Sequence, residues 1–174
     1  MCNEIAACDD DRQVKEDATV CVILAVTAVD VFLNTYFRVI ASEDSAAAEI
    51  IVADLQARKS LEHKLRTWPA KVLGGQIDKS CGPGREFDEL RRLRNRLVHF
   101  TSAHETVEVD DIRIKGLADT SDYDSLDVDS AVGAVETAEA VVREIFRLKG
   151  HTAKEIPHVL HSWIGREPSP SSEN

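Results

Sequence analysis

Four arginines, an asparagine and a histidine crowd into Arg91-Arg92-Leu93-Arg94-Asn95-Arg96-Leu97-Val98-His99, in a chain that is acidic overall. A guanidinium presents a rigid fork of donors that matches a phosphate. An imidazole exchanges protons near neutral pH. Together these groups suit chemistry at a phosphodiester: the histidine moves a proton, and an arginine meets the charge that builds up on phosphorus.

The elements that must position these residues read as helices. Residues from about Asp10 to Ala41 form one long helix whose middle, Val20 to Val26, is apolar nearly all round, as in a buried central helix. The β-branched run there also fits a strand. Helix is preferred because the pattern continues unbroken through Val29, Phe32, Leu33, Tyr36 and Phe37. A second helix is predicted from about Ser45 to Thr67, with Ile50, Ile51, Leu55, Leu61 and Leu65 as its apolar positions and Trp68-Pro69 as its end or kink. Lys71 to Gly84 reads as loop, because it holds Gly74-Gly75 and Cys81-Gly82-Pro83-Gly84. The third helix, with the arginines and His99, runs from near Arg85 to about Phe100.

The segment from Thr101 to Asp127 is the least helical. Thr106 to Val109 and Ile112 to Ile114 alternate like short strands, a small hairpin around Asp110-Asp111. Asp119 to Asp129 is a solvated acidic loop, lacking the Gly and distal Glu of a calcium loop. A fourth helix spans about Val128 to Lys149, with Val132, Val135, Val142, Ile145 and Phe146 facing inward, and Gly150 stops it. A short last helix covers about Thr152 to Ile164. The expected fold class is all-α: a four- to five-helix up-and-down bundle, with a small irregular or hairpin insertion between the third and fourth helices. Residues 1–164 make one helical domain, and 165–174, rich in Ser and Pro, a disordered tail.

Composition narrows the function. Asp and Glu number 31 against 21 Lys and Arg, a net charge of −10. A broad electrostatic grip on nucleic acid is excluded, so any RNA contact must be a local basic patch. Cys2, Cys8, Cys21 and Cys81 form no C-x-x-C pair and no zinc spacing, which fits reduced thiols. Cys21 is expected in the core and Trp68 and Trp163 as packing anchors, with His63 and His104 exposed. His158 and His161 lie one turn apart but have no carboxylate or cysteine neighbour in sequence. No metal and no cofactor are therefore expected. With no uninterrupted apolar run of about 18 residues and no basic leader, no membrane span is expected either, and the cytoplasm is the expected location.

On a helical wheel of the third helix, Phe87, Leu90, Leu93, Leu97 and Phe100 make one apolar stripe. Asn95 and His99, four apart, lie roughly opposite it, with Arg92 nearby. Arg94 sits on the flank of the stripe, where a guanidinium calls for a carboxylate. Asp30, the acidic residue in the apolar middle of the first helix, is the first candidate; Glu16 and Asp17 are others. The plain reading is a buried salt bridge at Arg94 and a surface histidine at His99.

Arg94-Asn95-Arg96-Leu97-Val98-His99 resembles the R-x-x-x-x-H signature of HEPN domains, with a polar residue directly after the arginine. Glu86 to Phe100 is similar to the family's "LRNxLVHF" style. Ala28-Val29-Asp30-Val31-Phe32-Leu33-Asn34 resembles its first helix, in which an acidic residue interrupts apolar ones. The resemblance covers roughly residues 15 to 150. It implies a helical-bundle homodimer in which two motif helices, here the third, face each other and form a composite site for metal-independent RNA cleavage. The family's chemistry maps onto Arg94 and His99, with Asn95 as a polar supporting residue; Asp30, as the candidate partner of Arg94, is the expected supporting carboxylate. Arg92 and Arg96 lie outside the signature and are candidate RNA contacts.

Three readings follow. The first is a HEPN-type endoribonuclease, of the toxin or phage-defence kind, with an antitoxin or other protein partner to mask its site. The second is a catalytically silent HEPN-like module that binds nucleotide, RNA or a protein. The third is a structural helical dimer with the motif as its interface.

Overall fold

The computed structural model describes residues 2–42, 45–99, 105–109, 112–117 and 120–164, and side chains within these except at 2–9, 45, 99, 105–109, 112–117 and 163–164. Phe100, His104, Asp110-Asp111 and the tail from Gly165 lie outside the described residues, as does the Trp163 side chain.

The protein is of the all-α class, with one small hairpin. Helix α1 spans Cys2–Ala41, α2 Ser45–Gln56, α3 Leu61–Trp68 and α4 Gly82–His99; strands β1 (Glu105–Val109) and β2 (Ile112–Leu117) follow, then α5 (Ser121–Asp124), α6 (Val128–Leu148) and α7 (Ile156–Ile164). The strands pair antiparallel, Val109 with Ile112 nearest the turn and Glu105 with Leu117 at the far end, with a bulge between Glu105 and Thr106.

The predicted second helix is two. Arg58 adopts a left-handed φ of 51°, and the chain restarts at Ser60, whose extended backbone and Oγ, accepting from the His63 N–H, cap α3. Beyond Trp68 the coil widens into a π-helical turn, Pro69–Leu73, which Gly74 closes at φ 72°. In the stretch expected to be acidic loop, a single helical turn, α5, forms. Asp127 then caps α6 by accepting from the Ser130 N–H at 2.8 Å and hydroxyl at 2.6 Å. The last helix begins at Ile156, because Glu155 accepts from both the N–H and the hydroxyl of Thr152 and holds the preceding residues in a capped turn.

The chain divides into two compact units, residues 1–28 with 85–138, and residues 29–84 with 139–174. In the first unit, α1 buries Ala18, Val22, Ala25 and Val26; α4 buries Phe87 and Leu97; and α6 buries Ala134 and Ala138. In the second, the core is aromatic. Phe146 meets Phe32 and Tyr36 edge-on with centroids 5.6 and 5.4 Å away, and Phe37 packs against Trp68 at 5.8 Å.

Two details of patterning differ from expectation. Val132 and Val135 of α6, expected to face inward, are exposed; the buried line is Ala134, Ala138, Val141, Val142, Ile145 and Phe146. The helix thus has two apolar faces, and the one that carries Ile145 and Phe146 is the core face. By length and composition α1 is also apolar enough to cross a membrane, with 44% of its most apolar window buried inside the protein.

Candidate functional site

Helix α4 carries the arginines. Its entry is tight: a Cβ on Gly84 would lie 2.0 Å from the Asp78 carbonyl oxygen, so only glycine lets the loop pass. Asp78 is tied into that loop by the Ser80 N–H and hydroxyl, both at 2.7 Å, and by the Cys81 thiol at 3.3 Å. Phe87 and Leu97 anchor the inner face of the helix, with Leu90 and Leu93 half-buried.

Most of the basic cluster is already engaged in ion pairs. Arg91 and Arg92 both reach Asp88, at 2.8 and 2.7 Å, which accounts for a carboxylate that is largely shielded from water. Arg96 clamps Asp122 of α5 with Nε at 2.6 Å and Nη2 at 3.0 Å, a bidentate fork. The Asp122 hydrogen bonds hold the Arg96 guanidinium still more firmly protonated. The side chains expected to meet RNA, Arg92 and Arg96, are therefore engaged with carboxylates of this chain.

Arg94 differs. It is half-buried, and its Nε is closed off from solvent with no hydrogen-bond partner among the described residues. It has no carboxylate partner there either. Asp30, expected to pair with it, instead accepts from Lys64 Nζ at 2.7 Å. Lys64 is the more deeply buried cation and gains a second contact over the Trp68 ring at 5.6 Å, so it holds the carboxylate. Asn95 is half-buried on the turn beside Arg94. His99 closes the same helix by its backbone, and its side chain lies outside the described residues.

A polar cluster in the second unit was not foreseen. Asp54 Oδ2 accepts from Trp68 Nε1 at 2.9 Å and lies 3.0 Å from His63 Nε2. His63, expected in solvent, is half-buried. Burial pushes the Asp54 carboxyl up, but the hydrogen bonds from Trp68 and His63 outweigh it and hold the group below its ordinary value. The spacing from Asp54 to His63 gave no signal, because the left-handed turn at Arg58 is what brings the two together. Ser60, as a start signal for α3, was the readable clue.

Among the described residues no cluster of His, Cys, Asp and Glu is placed to hold a metal ion. His158 is exposed and His161 half-buried one turn on. Compared with protein-family models, curated proteins and solved structures, the chain finds no match.

Proposed function

We propose that the protein is a metal-independent endoribonuclease of HEPN type, acting as a homodimer with two α4 helices sharing one site. The observation that carries this reading is Arg94. A shielded N–H without an acceptor costs free energy, and among the described residues it occurs here in the motif arginine, while Arg91, Arg92 and Arg96 are all ion-paired. The Nε itself is closed to solvent, so a phosphate would meet the other nitrogens of this guanidinium, which has no ion-pair partner among the described residues.

Arg94 and His99 are five residues apart, so on an ideal helix they diverge by about 140°. Bringing both to one phosphate therefore calls for a second copy. In the proposed reaction His99 takes the proton from a ribose 2′-hydroxyl as that oxygen attacks the adjacent phosphorus. Arg94 balances the charge of the phosphorane. The bond from phosphorus to the 5′-oxygen then breaks, and the leaving oxygen receives a proton. The products are a 2′,3′-cyclic phosphate and a 5′-hydroxyl. Asn95 supports Arg94 as a neighbouring polar group.

The binding-module reading has its own support: the net charge of −10 and the ion pairs that already occupy Arg91, Arg92 and Arg96. A matched pair of oligonucleotides separates the two. Cleavage of the all-RNA strand with cyclic-phosphate ends, and none of its 2′-deoxy counterpart, supports the ribonuclease. Binding of both with cleavage of neither replaces it with the module.

A further inference from the structure

Arg85, Arg91 and Arg92 pair with carboxylates of α4 itself, Glu89 and Asp88. Arg96 instead reaches across to Asp122 of α5, 26 residues along the chain. Both residues belong to the first unit. Helix α5 is a single turn, and none of its residues is buried. Thr120 Oγ1 donates to Asp124 Oδ2 at 2.7 Å and stiffens the turn, and buried Leu126 anchors the chain just after it. Apolar packing therefore contributes little to holding α5 against α4, and the Arg96–Asp122 fork is its main tie. An element held in this way opens easily.

The carboxylate in that fork stands where a phosphate could. Both groups take the same two-pronged hydrogen bonds from a guanidinium. The pair is half-exposed, so salt weakens it, and an incoming polyanion can displace Asp122 without stranding a buried charge. Arg96 and His99 are three residues apart, the spacing that puts two positions on one face of a helix. We propose that α5 is an autoinhibitory latch: Asp122 occupies the guanidinium on the His99 face of α4, and α5 leaves α4 when an RNA phosphate takes its place. The inference rests on the part of the proposed function that makes RNA the ligand of α4, and not on the RNA being cut.

Fluorine resonances of the full chain labelled with 3-fluorotyrosine test the latch. The chain has two tyrosines: Tyr123 is half-buried in α5, and Tyr36 is buried in the aromatic core of the second unit. A single-stranded 2′-deoxy oligonucleotide at low salt, which the proposed reaction cannot cut, should move the Tyr123 resonance toward that of the free amino acid and leave Tyr36 in place. Asp122→Asn should show the released Tyr123 position without oligonucleotide, with Tyr36 unmoved as the sign of an intact fold. It should also bind the oligonucleotide several-fold more tightly, and adding Arg96→Gln to it should remove that gain. Binding that leaves Tyr123 where it was, a gain that survives Arg96→Gln, or no binding by either the wild type or Asp122→Asn would overturn the latch. Release of Tyr123 with no cleavage of the matching RNA strand supports the latch and removes only the ribonuclease reading.

Discussion

Lys64 places its ammonium 2.7 Å from the Asp30 carboxylate, and the two are unequally buried: the lysine side chain is 8% exposed, the aspartate 38%. The pair joins the middle of α1 to α3 within the second unit. Because the cation is the trapped member, the two halves of the pair are not equivalent.

Asp30→Ala should cost about 2–3 kcal/mol, because it strands a buried ammonium, while Lys64→Met should cost about 1 kcal/mol or less, because Asp30 still reaches water. Urea unfolding of both variants measures this. Equal losses would show that the burial of Lys64 is not what makes the pair matter.

Asp54 sets an acid limit. Its folded carboxyl titrates below the ordinary value, held there by Trp68 and His63 against the opposing effect of burial. A depressed carboxyl stabilises the fold above its unfolded pKa, near 4, and that contribution is lost as pH falls through the lower folded value. Asp54→Asn should therefore lower Tm at neutral pH and flatten the fall in Tm below about pH 4. An unchanged acid limb in the variant would count against this role.

Asp122→Asn should release Arg96 from its fork. The pair is half exposed, 46% and 35% at its two side chains, so the loss of stability should stay under about 1 kcal/mol. RNA affinity should rise several-fold at low salt, and the salt dependence should steepen by about one counterion. Fluorescence anisotropy with a labelled RNA reads both; unchanged binding would mean that the freed guanidinium meets no phosphate.

The helical class was legible because Phe32, Leu33, Tyr36 and Phe37 on α1, and Phe87 and Leu97 on α4, repeat at helical spacing and are buried. The split between α2 and α3 was not, because the break sits at Arg58, a residue type that rarely takes a left-handed φ and so gives no warning. Val132 and Val135 misled because an apolar residue on a helix need not be a core residue when that helix has two apolar faces. The motif positions Arg94 and His99 could be read as letters, but the pairing of their neighbours could not. Asp88 is three and four residues from Arg91 and Arg92, a spacing that sequence can suggest. Asp122 reaches Arg96 only through the fold, and Lys64 displaces Arg94 as the partner of Asp30 for the same reason.

The most direct measurement is RNA cleavage by the purified chain with excess chelator, beside His99→Ala and Arg94→Ala. The account predicts cutting that chelator leaves untouched, products with 2′,3′-cyclic phosphate ends, and a loss of about 10²–10⁴-fold in rate in each variant. Cleavage that survives His99→Ala, or that disappears with the chelator, would contradict it.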